Sequence, residues 1–67
     1  MTMTEGQAAA AAQTLLGAGT TLRMQRCIMK EIDAYVDMFF IEKDGVIRGT
    51  GGNWQGAVDD ARTRRVA

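Results

Sequence analysis

The residue types that most often perform catalysis or bind metal ions are scarce in this chain. It contains no histidine and a single cysteine, Cys27, among its 67 residues. Without an imidazole base, the serine and cysteine triads are excluded within the chain. A structural zinc site needs four nitrogen or sulfur ligands and is excluded as well. We therefore expect no enzymatic activity, no metal and no cofactor, and we interpret Cys27 as a small packing residue rather than a nucleophile.

Two other patterns resemble fragments of chemical sites. Asp33 and Asp37 lie one helical turn apart, but paired catalytic acids face each other across a cleft, so we assign both to a solvated surface. The glycine-rich segment 49–52 precedes a predicted helix, where free backbone N–H groups attract anions. This segment lacks the Lys-Ser/Thr pair of a Walker loop, and we interpret it as a flexible connection.

The charge balance bears on nucleic-acid binding. Eight basic and eight acidic side chains give a net charge of zero, whereas phosphate binding needs several lysine or arginine contacts. A basic cluster nevertheless stands near the end of the sequence. The dipole of a helix favours basic residues at its C-terminus, and this is sufficient to explain the cluster. Nucleic-acid binding is therefore the alternative function and not the first. Its candidate contacts are Arg48, Arg62, Arg64 and Arg65.

Length and apolar runs restrict the class of protein. A chain of 67 residues forms one small domain at most. The longest run of large apolar residues, 38–41, is far shorter than the roughly 20 residues that span a bilayer. Glu5 stands where a signal peptide carries basic residues, and one cysteine excludes an intrachain disulfide. We expect no membrane association and a cytoplasmic location, or a place in a particle assembled inside the cell.

The first predicted helix covers residues 5–16. Thr4 and Gln7 have the spacing of a capping box, and a run of alanines, the strongest helix formers, follows them. Gly17 is a typical residue just beyond a helix end. The alternative is a frayed arm, because isolated helices of this length are marginal in water.

A second, amphipathic helix is predicted over residues 21–38. At 100° per residue the large apolar side chains fall on one stripe, and charged residues fill the opposite face. Ile41 would point into the charged side, which indicates that the helix ends before it. The stripe is the predicted interaction surface, and its interface residues are Leu22, Ile28, Met29, Ile32, Tyr35, Val36 and Phe39.

The charges of this predicted helix run from basic to acidic, which is opposite to the order that a helix dipole favours. Two antiparallel copies would place Arg23 near Asp37 and Arg26 near Asp33, so that unfavourable charges become intermolecular pairs. We therefore predict a homo-oligomer. The alternative is that these are exposed charges without a partner.

After the second helix, a β-hairpin is predicted from residues 39–42 and 46–49. Asp-Gly within the connecting segment 43–45 is typical of a three-residue loop, a type I turn followed by Gly45 in the left-handed region as a G1 bulge. The alternative continues the helix to residue 43 and uses Gly45 as its cap.

A third helix, over residues 54–64, is predicted after Asn53, which is a good N-cap residue. The predicted fold is thus a single small α+β domain of order α-α-β-β-α, with the central helix packed on the hairpin. The predicted function is a non-enzymatic protein-interaction module: a self-associating subunit, or an accessory or inhibitory factor that docks on a larger assembly. Virion components and phage- or plasmid-encoded inhibitors have this size, and the comparison with them rests on chain length and not on a shared motif.

Overall fold

The computed structural model describes residues 2–66, with side chains for residues 2–64. The fold class is α+β, as predicted, but the order α-α-β-β-α is wrong. The observed order is α-β-β-β-α, with one strand more and one helix fewer. In chain order the elements are α1 (Glu5–Leu16), β1 (Thr20–Met29), β2 (Ala34–Lys43), β3 (Val46–Gly51) and α2 (Trp54–Val66).

The first helix begins and ends at the predicted signals. Thr4 Oγ1 accepts a hydrogen bond from the Gln7 N–H at 3.1 Å, and Gln7 Oε1 accepts one from the Thr4 N–H at 2.9 Å. Gly17, at φ +91°, follows the last turn. Because Ala8 and Ala12 are fully buried, α1 is a packed element and the frayed-arm alternative is wrong.

The predicted helix over 21–38 is wrong. Residues 30–33 reverse the chain, and β1 pairs antiparallel with β2 from Thr20↔Lys43 to Met29↔Ala34. Asp33 closes the reversal at φ +50°, a conformation that a right-handed helix does not contain. In the hairpin Arg26 has the oppositely charged Asp37 as its cross-strand neighbour, whereas a helix would place Arg26 one turn from Lys30 and Asp37 one turn from Asp33. The predicted packing of a central helix on the hairpin is therefore wrong too.

The β2–β3 hairpin is present and is longer than the sequence predicted, but the predicted three-residue loop with a type I turn is wrong, because Lys43 belongs to the strand. Lys43 pairs with Val46, and the two residues between them, Asp44 at φ +53° and Gly45 at φ +81°, have the backbone of a type I′ turn. The alternative of a helix that continues to residue 43 is wrong, because residues 34–43 form strand β2, which ends at these two left-handed residues. A bulge lies one step further along, where the register shifts between Ile41 and Glu42.

A branched residue in this turn is expected to cost stability through the backbone alone. A Cβ at Gly45 would meet nothing within 4 Å, so Gly45→Val is expected to lose more than about 1 kcal/mol by forcing a branched residue to positive φ. Gly45→Asn is the matched control, because asparagine tolerates the left-handed region. Urea denaturation of both variants measures the difference, and equal stabilities would contradict the turn assignment.

Both helices pack on one face of the sheet, where small residues allow close approach. The core consists of Ala8, Ala12, Ile41, Ala57, Val58 and Ala61. Phe39 meets Trp54 edge to face at the border of this core, with ring centroids 4.7 Å apart. Most of the core residues are alanines, so backbone proximity rather than large side chains holds the layers together.

The glycine-rich segment belongs largely to β3 and is not a flexible connection. A Cβ on Gly49 would lie 2.4 Å from the Ala57 carbonyl oxygen, and one on Gly51 would lie 2.6 Å from the Ala57 nitrogen. These glycines therefore let β3 touch the backbone of α2. The predicted start of the third helix is confirmed, since Asn53 Oδ1 accepts a hydrogen bond from the Gly56 N–H at 2.7 Å.

Candidate protein-interaction surface

The hairpin of β1 and β2 extends beyond the rest of the fold. Each of these strands has ten residues, whereas β3 has six and pairs only with the 39–43 end of β2. Residues 25–38 therefore lie beyond the third strand, and Met24 borders them, since its partner Phe39 is the first β2 residue that β3 reaches. We name residues 24–38 the distal ribbon. The molecule is accordingly elongated, with extents of 37 × 26 × 19 Å.

The distal ribbon exposes large apolar side chains. Ile28 is 55% exposed, Ile32 60% and Tyr35 71%. Within the described part of the chain, five of the seven exposed large apolar residues belong to this ribbon. A cluster of this kind is typical of a surface that binds another molecule. The five are Met24, Ile28, Met29, Ile32 and Tyr35.

Apolar side chains occupy both faces of the distal ribbon. Ile28 lies opposite Tyr35 on the face that continues the helix-covered side, and Cys27 lies opposite Val36 on the other face. Cys27 and Val36 are half-buried. A two-stranded ribbon is at best marginally stable in water when nothing packs on it. The distal ribbon therefore has the character of a segment that another surface covers.

The predicted interface residues do not share one face. Leu22 and Phe39 pack against the core, so they stabilise the fold and are not free for a partner. Val36 is half-buried on the opposite face of the sheet from both. The remaining four, Ile28, Met29, Ile32 and Tyr35, are exposed on the distal ribbon. The predicted single stripe is wrong because alternation along a strand sends neighbouring side chains to opposite faces.

The predicted charge pairing between antiparallel helices is wrong, because cross-strand partners lie within the chain. Arg26 Nε lies 3.2 Å from Asp37 Oδ1, and Arg23 Nε lies 2.7 Å from Glu42 Oε2. Asp33 is placed in the reversal between the strands. Exposed pairs of this kind contribute only about 0–1 kcal/mol. Their main effect is that the arginines of β1 are matched by acidic side chains of β2.

A second contact holds Arg23 in place. Its guanidinium carbon lies 4.6 Å from the centroid of the Phe40 ring, a cation–π geometry. Its Nη1 also donates to Gln25 Oε1 at 2.7 Å. The arginine therefore covers part of the apolar face opposite the helices.

The predicted nucleic-acid contacts do not form one patch. Arg62 pairs with Asp59 at 3.2 Å, and Arg64 pairs with Asp60 at 2.9 Å. Arg48 and Arg64 line a cavity of about 290 Å³ between β3 and the helices, whereas Arg62 lines a separate groove against α1. The side chain of the fourth predicted contact, Arg65, lies outside the described residues. The aspartates of α2 offset the positive charge that phosphate binding requires.

Metal-binding clusters are not found among the described residues. No three of their His, Cys, Asp or Glu side chains come together to hold a metal ion, and no buried polar side-chain atom among them lacks a hydrogen-bond partner. Neither helix, over the residues described, is long and apolar enough to cross a membrane. Comparisons with protein-family models, with curated proteins and with solved structures found nothing that matches this chain.

Proposed function

We propose that this protein is a non-enzymatic protein-interaction module that self-associates, as a small subunit or an accessory factor of a larger assembly, and that the distal ribbon is its binding surface. The observation that carries the proposal is the exposure of apolar side chains on a ribbon that β3 does not reach. Burying one large apolar side chain contributes about 1.5–3 kcal/mol. Burial of Met24, Ile28 and Tyr35 together therefore contributes several kcal/mol towards association, which offsets part of the translational and rotational freedom that binding removes.

The charge of the ribbon supports the same proposal. Arg26 and Asp37 neutralise each other in its centre, so the paired strands of the ribbon carry no net charge, and its other charged residues, Lys30, Glu31 and Asp33, are confined to the reversal. The chain as a whole carries no net charge, and general electrostatic attraction to nucleic acid or to an acidic surface is therefore absent. In this proposal, burial of the ribbon's apolar side chains supplies the binding free energy, and the shape of the ribbon determines which partner fits.

The test is a charged double substitution on the ribbon. Ile28→Asp combined with Tyr35→Lys is expected to weaken self-association at least tenfold in Kd, because both side chains are more than half exposed on the proposed surface. The two new side chains are cross-strand neighbours of opposite charge, so the ribbon stays paired. Sedimentation equilibrium measures the change. Circular dichroism is expected to remain that of the unaltered protein, since neither residue contributes to the core.

Val46→Asp is the matched control. Val46 is also exposed, at 53%, but lies outside the distal ribbon, beside the β2–β3 turn, and its substitution is expected to leave association unchanged. A protein that stays monomeric up to about 1 mM, where association would contribute only about 4 kcal/mol, contradicts self-association.

A further inference from the structure

Strand β1 has a fully open edge. The sheet order is β1-β2-β3, so β1 pairs with β2 on one side only along all of its ten residues. An unpaired edge of this length is a template for another strand unless something blocks it. The chain contains no proline, so no residue of β1 lacks the N–H that edge pairing needs.

The type I′ turn fixes which backbone groups face this edge. In a two-residue turn of this type the flanking residues, Lys43 and Val46, form a hydrogen-bonded pair. Backbone groups alternate along a strand, so the odd-numbered residues of β2 face β3 and the even-numbered ones face β1. Their partners in β1 are odd-numbered. The even-numbered residues of β1 therefore direct their N–H and C=O groups at the open edge.

We propose that a second copy of this chain occupies this edge, with the two β1 strands antiparallel and centred on Gln25, forming a continuous six-stranded sheet. This inference rests on the proposed function, for which it names the partner and the geometry. The symmetry of such a pair is a two-fold axis perpendicular to the sheet, so both copies present the same surface to each other. The helices of both copies lie on the same side of the sheet.

Charge excludes two of the central registers. Centring the pair on Arg23 or on Arg26 places each arginine directly opposite its own copy, and like charges in that position are destabilising. Centring it further towards either end of β1 pairs only about half of the strand. The registers centred on Met24 and Gln25 remain, and each pairs nearly the whole of β1.

Contacts between apolar side chains of the two copies favour the register centred on Gln25. In this register Leu22 lies opposite the second copy's Ile28, and Met24 lies opposite the aliphatic part of the second copy's Arg26. Centring on Met24 instead places Ile28 opposite the polar Thr20. Since Ile28 is 55% exposed in one copy, the register that covers it with an apolar neighbour buries more apolar surface.

The shape of the chain supports a second copy as the partner. In one copy α1 packs on β1, and Leu22, near the start of that strand, belongs to the packed region. The two-fold axis reverses the second strand, so the helix-covered end of each copy comes to lie beside the bare distal ribbon of the other. The second copy's α1 then flanks Ile28 and Tyr35, which no helix of their own chain covers.

Proline at an edge-facing position tests the pairing. The Met24 N–H faces the open edge, so Met24→Pro removes no hydrogen bond between β1 and β2 but blocks a strand on the other side. We expect it to abolish the dimer in sedimentation equilibrium while the circular dichroism of the fold persists. Met24→Ala is the control, because it removes the same side chain and keeps the N–H. Equal effects of the two substitutions overturn edge pairing.

A thiol placed at the centre tests the register. In a Cys27→Ser background, Gln25→Cys is expected to form an intermolecular disulfide under mild oxidation, since facing residues of a non-hydrogen-bonded pair have Cα atoms about 4.5 Å apart, within disulfide range. Thr21→Cys in the same background is the control, on the same face. Its two copies would be eight residue steps apart, about 26 Å at 3.3 Å per residue, and are not expected to cross-link.

The outcomes separate this inference from the proposed function. A protein that self-associates and loses association with the Ile28→Asp and Tyr35→Lys pair, but shows no faster cross-linking at Gln25→Cys than at Thr21→Cys, overturns the β1 pairing and leaves the interaction module standing. Cross-linking at Gln25→Cys together with loss of the dimer in Met24→Pro supports both. A monomer that neither cross-links nor responds to the substitutions overturns both.

Discussion

Gly49→Ala is expected to lower the free energy of unfolding by about 3 kcal/mol or more, at the upper end of what overpacking costs. The added Cβ would lie 2.4 Å from the Ala57 carbonyl oxygen and 2.8 Å from the Ala61 Cβ. The first of these is backbone and cannot rotate away, so α2 must move off the sheet. Thermal and urea denaturation measure the loss, which corresponds to about 4–8 °C in Tm for each kcal/mol in a small domain.

Gly52→Ala is the matched control for this substitution. Gly52 follows β3 directly, and a Cβ there meets nothing within 4 Å, so its stability is expected to stay within about 0.5 kcal/mol of the unaltered protein. Equal behaviour of the two alanine variants would contradict the close approach of α2 to β3.

Ile41→Ala is expected to cost about 2–5 kcal/mol, the range for removing a large aliphatic side chain from a core. Ile41 is fully buried near the C-terminal end of β2, the middle strand of the sheet, and with Val58 it is one of the two largest fully buried side chains. The alanines around it are too small to refill the space that it leaves. Urea denaturation followed by circular dichroism measures the difference in stability.

Ile32→Ala removes the same atoms from the reversal of the distal ribbon, where the side chain is 60% exposed. It is expected to change stability by less than about 0.5 kcal/mol. The ratio of the two effects thus separates the core from the interaction surface. If Ile32→Ala destabilised the isolated chain as strongly as Ile41→Ala, the distal ribbon would be part of the core and the proposed binding surface would be wrong.

These losses are large relative to the whole stability of the chain. Folded domains gain roughly 0.05–0.15 kcal/mol per residue, which for a chain of this length is about 3–10 kcal/mol. Either core variant therefore removes a large fraction of the total. Because the free energy of unfolding of this domain is small, a partner that binds only the folded state raises its stability substantially by mass action.

The central segment shows why the sequence misled the helix prediction. Ile28, Ile32 and Val36 recur every four residues, a spacing that keeps side chains on one face of a helix and equally on one face of a strand. The reversal 30–33 is Lys-Glu-Ile-Asp, without the glycine, proline or asparagine that usually marks a turn. The alternation of apolar and polar residues from Leu22 to Gln25 is the available signal for β1, and it is weaker than the helical stripe because it breaks at Arg26.

The candidate surface was partly predictable. Exposed apolar residues on the central segment, including Ile28 and Tyr35, were singled out as an interface by their types alone. Which of the predicted interface residues belong to the core and which to the surface was not predictable. Leu22 and Phe39 are covered by helices that lie far away in the sequence. The partners of Arg23 and Arg26 also come from a distant strand, and local charge spacing gives no information about them.

By itself the sequence determined the features whose free energy is local. Thr4, Gln7 and Gly17 set the limits of α1, Asp44 and Gly45 set the β2–β3 turn, and Asn53 set the start of α2, since each acts on backbone groups a few residues away. The tertiary structure decided whether residues 21–38 became helix or hairpin. A helix would collect their apolar residues on one stripe, whereas the hairpin divides them between two faces. Pairing with β3 and the packing of Leu22 and Phe39 on the core stabilise the strands.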